Sequence, residues 1–255
     1  MLRVAATKSV IWAQTASSPK PHNQGMQQAL LLLPIGVPVL FWAAYHYHKD
    51  RRLPEPIPHL LLALGLGMLA AGLSQSLYVG LGLLGLRFDA GELAATNTAG
   101  LLAYSLFVIG PIEEFAKLLP FLLVVLRFKN FDEPIDGIIY ASFIGLGYAA
   151  IENWQYLDYL TPLEAAARGF ASPVVHMVFA SIWGHWIARE FVTGRSILAA
   201  ALTGLAIAAG LHGIYDFLVI AKPQSALPLA ALFILTIWLW RLKLMHDMHE
   251  AATQD

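Results

Sequence analysis

The sequence predicts an all-α fold, a polytopic transmembrane helical bundle of about seven spans. Hydrophobic residues make up 58% of the 255 and charged ones only 13%, outside the range of a soluble domain. Mean hydropathy is positive. Seven apolar stretches are long enough to cross a hydrocarbon core, for which a helix needs about 20 residues. The net charge of −1 gives no reason to expect a nucleic-acid partner, so the implied partners are the lipid bilayer and whatever the membrane presents. The absence of cysteine excludes disulfides, thiolate zinc sites and a cysteine nucleophile.

The first 25 residues carry three cations and no acid, without the apolar core and small-residue cleavage site of a secretory signal. Residues 1–27 therefore read as a disordered tail, with Met26 as an alternative start, 28–245 as the membrane-embedded domain and 246–255 as a polar C-terminal tail. Spans are expected near 28–47, 59–86, 101–126, 136–157, 169–188, 197–220 and 226–244. The second is long and glycine-rich, a composition that suits tilt, a break or close packing. The third carries Pro111 and Pro120, which should kink it, Pro111 freeing the carbonyl of Phe107. Trp42, Tyr45, Trp154, Tyr156, Tyr159, Trp238 and Trp240 lie near span ends, as interfacial aromatics do.

Loop charge sets an orientation. With the N-terminus outside, the inner loops and C-tail hold Lys49, Arg51, Arg52, Arg127, Lys129, Arg189, Arg195, Arg241 and Lys243, and the outer loops only Arg87, Arg168 and Lys222. The positive-inside rule favours N-out, C-in. His46, His48, His246 and His249 flank spans in polar contexts and read as solvated.

The third span contains Glu113, Glu114 and Lys117 near its middle, where one charged side chain costs about 2.5–3.5 kcal/mol on insertion scales. The bland account is an ion pair that fixes packing, since Lys117 lies one turn from both acids. One salt bridge needs one acid, and here there are two. Other spans add Glu152 with Asn153, then His176, then His212 with Asp216 one turn later. At about 1.5 Å per residue, Glu113 and Glu114 lie roughly 18 Å from the outer span end, Glu152 roughly 7, His176 roughly 10 and His212 roughly 12. Taken singly, Glu152 is a helix-end residue, His176 a packing histidine and His212–Asp216 a packing bond. Four helices placing such groups in the same half of the bilayer point instead to one buried site.

Two glutamates and two histidines around a wet pocket permit two routes to water attack on a carbonyl. A carboxylate can act as general base. Alternatively two histidines and a carboxylate can hold zinc with an open position. For His212, Asp216 on the same face would orient the imidazole through its second nitrogen. There is no HExxH, no GxSxG and no intramembrane Asp pair of GxGD type, which argues against the site-2, rhomboid and presenilin designs.

Glu113-Glu114-Phe115-Ala116-Lys117, the run Phe131–Tyr140 (FDEPIDGIIY) and the run Gly145–Asn153 (GLGYAAIEN) resemble the core of the PrsW family. Lys49–Pro56 (KDRRLPEP), His176 and His212–Phe217 (HGIYDF) match it as well. The resemblance covers roughly residues 28 to 220 and implies a prokaryotic membrane protease, distantly similar to CAAX-processing and bacteriocin-processing membrane proteases. The founding member of that family makes the first, extracytoplasmic-side cut in a membrane-bound anti-sigma factor. Carried over, the paired acids fall on Glu113 and Glu114, the first histidine on His176, the last-motif histidine and acid on His212 and Asp216, and the Glu-Asn on Glu152 and Asn153. Lys117 would orient one carboxylate or hold it ionised. Asp136 reads as an N-terminal helix residue.

The expectation is thus a membrane-embedded endopeptidase of the prokaryotic cytoplasmic membrane, acting in signalling or processing. It would cut a membrane protein or peptide near the outer face, with Glu114 or Glu113 activating water. His176 and His212 would bind Zn2+ together with Glu114, or stabilise the oxyanion without a metal. Lys117, Glu152, Asn153 and Asp216 would support them. The rival class is a non-catalytic scaffold or proton-coupled transporter using the same polar core. A transporter should often show inverted repeats, and none is visible here.

Overall fold

The structure, a computed structural model, describes residues 24–49, 54–157, 160–221 and 223–251, with side chains over 33–48, 54–157, 160–221 and 228–248. The tail through residue 23, the loop cations Arg51 and Arg52, Tyr159, Lys222 and the His249 side chain lie outside it. The described residues form helices joined by short turns, with no strand among them: α1 (Gln24–Lys49), α2 (Ile57–Leu83), α3 (Ala90–Thr96), α4 (Thr98–Tyr104), α5 (Gly110–Leu123), α6 (Pro134–Tyr156), α7 (Pro162–Val192), α8 (Leu198–Ala221) and α9 (Pro223–Ala251).

Five segments are long and apolar enough to cross a membrane, namely α2, α6, α7, α8 and Pro228–Met248 of α9. The expected count of about seven is therefore not reached by length and composition among the described residues. The expected first span falls in α1. The expected third span is jointed. α4 runs into a π-turn at Ser105–Ile109, α5 follows, and a 3-10 turn at Val125–Arg127 ends the segment. Pro111 explains the joint, because it has no N–H and its ring would clash with the carbonyl four residues back. Widening the preceding turn, with Gly110 N–H bonded to Ser105 O, restarts the helix so that Pro111 sits in its first turn, where no N–H is needed. At 14 residues, α5 extends only about 21 Å.

α6 is the axis of the bundle, buried on all sides from Ile135 to Ala150. Glycines set its approach to its neighbours. A Cβ on Gly67 of α2 would lie 2.0 Å from Ile144 O, and one on Gly147 of α6 would lie 1.9 Å from Leu64 O. These helices therefore meet backbone to backbone, as small residues permit in lipid. The glycine-rich second span is an unbroken, closely packed helix. Likewise a Cβ on Gly145 would meet His176 O at 2.6 Å, and one on Gly110 would meet Ala209 O at 2.2 Å. Those two contacts press α6 onto α7 at His176 and α5 onto α8 close to His212.

Asp136 caps α6 as expected, accepting from the backbone N–H groups of Asp132 (2.9 Å) and Glu133 (2.8 Å). It also hydrogen-bonds buried Glu55, which accepts from Tyr140. Three polar residues sit deeper than the sequence implies. His46 is buried against the Trp238 ring and its Nδ1–H meets Trp42 O at 2.9 Å, so it is not a solvated flank residue. Arg241, counted above as a loop cation, is 1% exposed and donates to Ser181 Oγ (3.1 Å) and Ser142 Oγ (2.8 Å). Arg168 is only half-buried, on α7, and is paired with Glu152. Trp42, Tyr45 and Trp238 pack on one another between α1 and α9.

Candidate active site

One turn of α5 places Glu113, Glu114 and Lys117 toward α7 and α8. Glu114 and Lys117 are both 0% exposed and bonded to each other at 2.7 Å. His212 Nδ1 meets the same Glu114 oxygen at 2.7 Å, and the indole N–H of Trp183, from α7, donates to the other at 2.9 Å. Glu114 thus has both oxygens occupied by three donors. Such a carboxylate, fully buried and bonded through both oxygens, is an anchor.

The chain of contacts continues through Lys117. Its ammonium lies 2.9 Å from His176 Nδ1 and over the Tyr148 ring at 4.4 Å. Lysine has donors and no acceptor, so Nδ1 must accept. His176 therefore carries its proton on Nε2, which meets Glu152 Oε2 at 2.7 Å. Arg168 closes the line, 3.1 Å from the other Glu152 oxygen and stacked over Tyr156 at 3.9 Å. By the same logic the Nδ1–H of His212 belongs to Glu114, leaving its Nε2 lone pair free when the ring is neutral.

Glu113 is different. Buried Oε2 has no hydrogen-bond partner among the described residues, and Oε1 has only the Tyr78 hydroxyl at 3.4 Å. His212 Nε2 stands 3.8 Å from Glu113 Oε2 and 3.7 Å from Asp216 Oδ2. Both distances exceed hydrogen-bond reach. Asp216 therefore does not orient His212 as expected, because Glu114 does so from the other side of the ring. A cavity of about 630 Å³ opens here, lined by Glu113, Tyr78, Glu152, His176, His212 and Asp216 among others. Glu114 and Lys117 stand behind that wall.

The structure brings together seven of the eight residues singled out in the sequence. The eighth, Asn153, is buried with neither amide atom hydrogen-bonded among the described residues, and it does not line the cavity. Two partners went unrecognised. Trp183 lies seven residues after His176, two turns on the same face, a spacing that could have suggested it. Tyr78 belongs with Ser74 and Gln75 to a polar patch one turn long in an otherwise apolar span, and a buried polar patch in lipid is itself a signal.

As to a metal, Glu113, His176 and His212 each offer a ligand atom within 4.8 Å of the others. Glu113, not Glu114, completes this set, since both Glu114 oxygens are engaged. The set fits a divalent ion in kind, two histidines and a carboxylate, and neither Glu113 Oε2 nor His212 Nε2 has a hydrogen-bond partner among the described residues to give up. His176 joins only by exchanging its contact with Glu152.

The profile of the family described as PrsW family intramembrane metalloprotease matches residues 55–241. Protease PrsW of Clostridioides difficile is 29% identical over 219 residues, covering 84% of this chain and 88% of that protein. Protease PrsW of Oceanobacillus iheyensis is 30% identical over 225 residues, covering 84% and 95%, and that of Bacillus subtilis 27% over 181, covering 70% and 77%. No solved structure matches the chain. The seven clustered residues all fall within the matched region, and the chain belongs to the PrsW family of intramembrane proteases.

Proposed function

We propose that this chain is an endopeptidase that cuts a peptide bond of a membrane-anchored substrate, with the attacking water activated at Glu113. One observation carries the assignment: Glu113 presents an unpartnered buried carboxylate oxygen at a cavity wall, while both oxygens of its neighbour Glu114 are engaged by donors, three in all. A water held by Glu113 Oε2 gives up a proton to it, and the oxygen bonds to the carbonyl carbon. The carbonyl π pair moves onto oxygen. When it returns, the C–N bond breaks, its electron pair stays on nitrogen, and the proton on Glu113 passes to the leaving amine. The products are a carboxylate end and an amine end. His212, held through Nδ1 by Glu114, lines the water site with Nε2, and His176 is fixed as an Nε2–H donor by Lys117.

A second reading is favoured by the proximity of the three ligand atoms and by the family's description. Zinc held by Glu113, His176 and His212 would lower the pKa of a water and polarise the carbonyl. Elemental analysis decides between the two. One equivalent of zinc in the purified protein, lost in Glu113→Gln, supports the metal reading, and its absence from active protein supports the carboxylate alone.

The substrate fitting this reading is an anti-sigma-factor-like membrane protein or a precursor, cut near the extracytoplasmic face. That placement rests on the loop-charge orientation. A single-span reporter co-expressed with the chain tests the function. Cleavage by wild type and its loss in well-expressed Glu113→Gln are expected. Unchanged cleavage in that variant would refute the chemistry, and no cleavage by wild type of any single-span reporter would favour the scaffold or transporter class.

A further inference from the structure

We propose that Tyr78 of α2 is a catalytic residue of this site, donating its phenolic hydrogen to the oxygen of the tetrahedral intermediate. The inference rests on the reading of Glu113 as the water-activating group. A carbonyl attacked beside Glu113 develops a full negative charge on oxygen, in a wall otherwise rich in carboxylates. Aimed donors are what lower such a barrier, and they must be in place beforehand.

The donors of the cluster are already engaged. The Nδ1–H of His212 and the indole N–H of Trp183 serve Glu114, and Lys117 serves Glu114 and His176. The Nε2–H of His176 serves Glu152, and the hydroxyl of Tyr148 pairs with Ser74 Oγ at 2.8 Å. Tyr78 is the exception. Its hydroxyl is the one side-chain donor within hydrogen-bond reach of Glu113 among the described residues, and the contact is long, 3.4 Å. Good O–H···O bonds are about 2.7–2.8 Å. A donor so loosely held can swing to a new acceptor a few tenths of an ångström away without breaking a strong bond.

Its placement is rigid. Tyr78 lines the cavity together with Glu113, His212 and Asp216. α2 is locked on α6 by the reciprocal contacts at Gly67 and Gly147. The phenol thus approaches the reacting carbonyl from α2, a helix that carries none of the other catalytic groups. The leaving amine is served by the proton on Glu113, so Tyr78 need only donate a hydrogen bond and never ionises.

The test uses the full-length protein in detergent or liposomes with a single-span reporter whose cut site has been mapped. Tyr78→Phe removes one oxygen and keeps the ring, so level and melting temperature should match wild type. Its kcat should fall on the order of 10²–10³-fold with KM little changed, the loss typical of one oxyanion donor. A peptide aldehyde built on the mapped site has a hydrate that reproduces the tetrahedral oxygen. Its inhibition should weaken by the same factor as kcat/KM, while the corresponding alcohol inhibits both proteins equally. Incorporating 3-fluorotyrosine at position 78, which keeps the O–H, should retain activity. The assignment fails if Tyr78→Phe stays within about threefold of wild type in kcat, if its loss appears in KM, or if aldehyde inhibition is unchanged. Glu113→Gln, run alongside, separates the two ideas. An inactive Glu113→Gln with an active Tyr78→Phe removes Tyr78 alone, whereas an active Glu113→Gln removes the reading on which Tyr78 depends.

Discussion

Glu113 and Glu114 are chemically identical neighbours on one helix, yet they occupy opposite kinds of environment. Around Glu114 every oxygen has a donor, and the donors come from three helices: Lys117 on α5, Trp183 on α7 and His212 on α8. Around Glu113 one oxygen has no partner and the other has a long one. Successive helix residues point about 100° apart, so a carboxylate facing the bundle axis necessarily has a neighbour facing elsewhere, here into the cavity. The saturated corner builds the site, and the open corner is where a substrate and water can be received. A buried charge that is fully hydrogen-bonded stabilises an arrangement, and one that is not is held in readiness at a cost to stability.

The sharpest way to break this comparison is to neutralise each acid in turn. Glu113→Gln should cut turnover on the order of 10²–10⁴-fold, the worth of a general base. Its melting temperature in detergent should stay near wild type or rise, because its unpartnered oxygen contributes no hydrogen bond and the cost of a buried charge is removed. Glu114→Gln should behave in reverse. It leaves the buried Lys117 ammonium without its counter-charge, costing about 3–5 kcal/mol, so thermal unfolding should move down markedly and protein level with it. If Glu114→Gln is as stable as wild type while losing all turnover, the assignment of the two roles is inverted.

Smaller changes sharpen the picture. Trp183→Phe keeps an aromatic ring, though a smaller one, against Phe121 and removes one hydrogen bond to a carboxylate, worth about 1.5–3 kcal/mol. Turnover should drop partially without being abolished, and chemical denaturation should report the stability loss. Asp216→Asn should do least to stability, under about 1 kcal/mol, because no hydrogen bond is broken. A large loss of stability in Asp216→Asn would show that the His212–Asp216 contact, 3.7 Å in this structure, closes in the membrane.

Much of the site was legible because lipid penalises unpaired charge so heavily. Glu113, Glu114, Lys117, Glu152, His176, His212 and Asp216 could be expected to converge from their similar depths alone, since no alternative would satisfy them. Which acid pairs with which base was not legible. The pairing of His212 with Glu114, and not with Asp216 on its own helix, depends on how far α5 and α8 rotate toward each other. That rotation is set by the contact of Gly110 with the backbone of Ala209 and by the π-turn before Pro111. The burial of Arg241 escaped for a related reason. Its position near the end of a span fits a snorkelling cation, and only the serines of α6 and α7 at the same level draw it inward.

By itself the sequence determined the class of the molecule, since the hydrophobic content and the lengths of its apolar runs leave a helical membrane bundle as the only way to satisfy the backbone in lipid. It also pointed to most of the residues that meet, because charges buried on several helices are tolerable in lipid only together. The tertiary structure decided the division of labour among them. A helix face is set by local periodicity, but the identity of its neighbours follows from where glycines let backbones touch and where proline forces a helix to restart. Those contacts leave Glu114 enclosed, Glu113 open and Tyr78 of a separate helix at its side. The enclosure of Glu114 depends on the simultaneous approach of three helices, which no single stretch of the chain encodes.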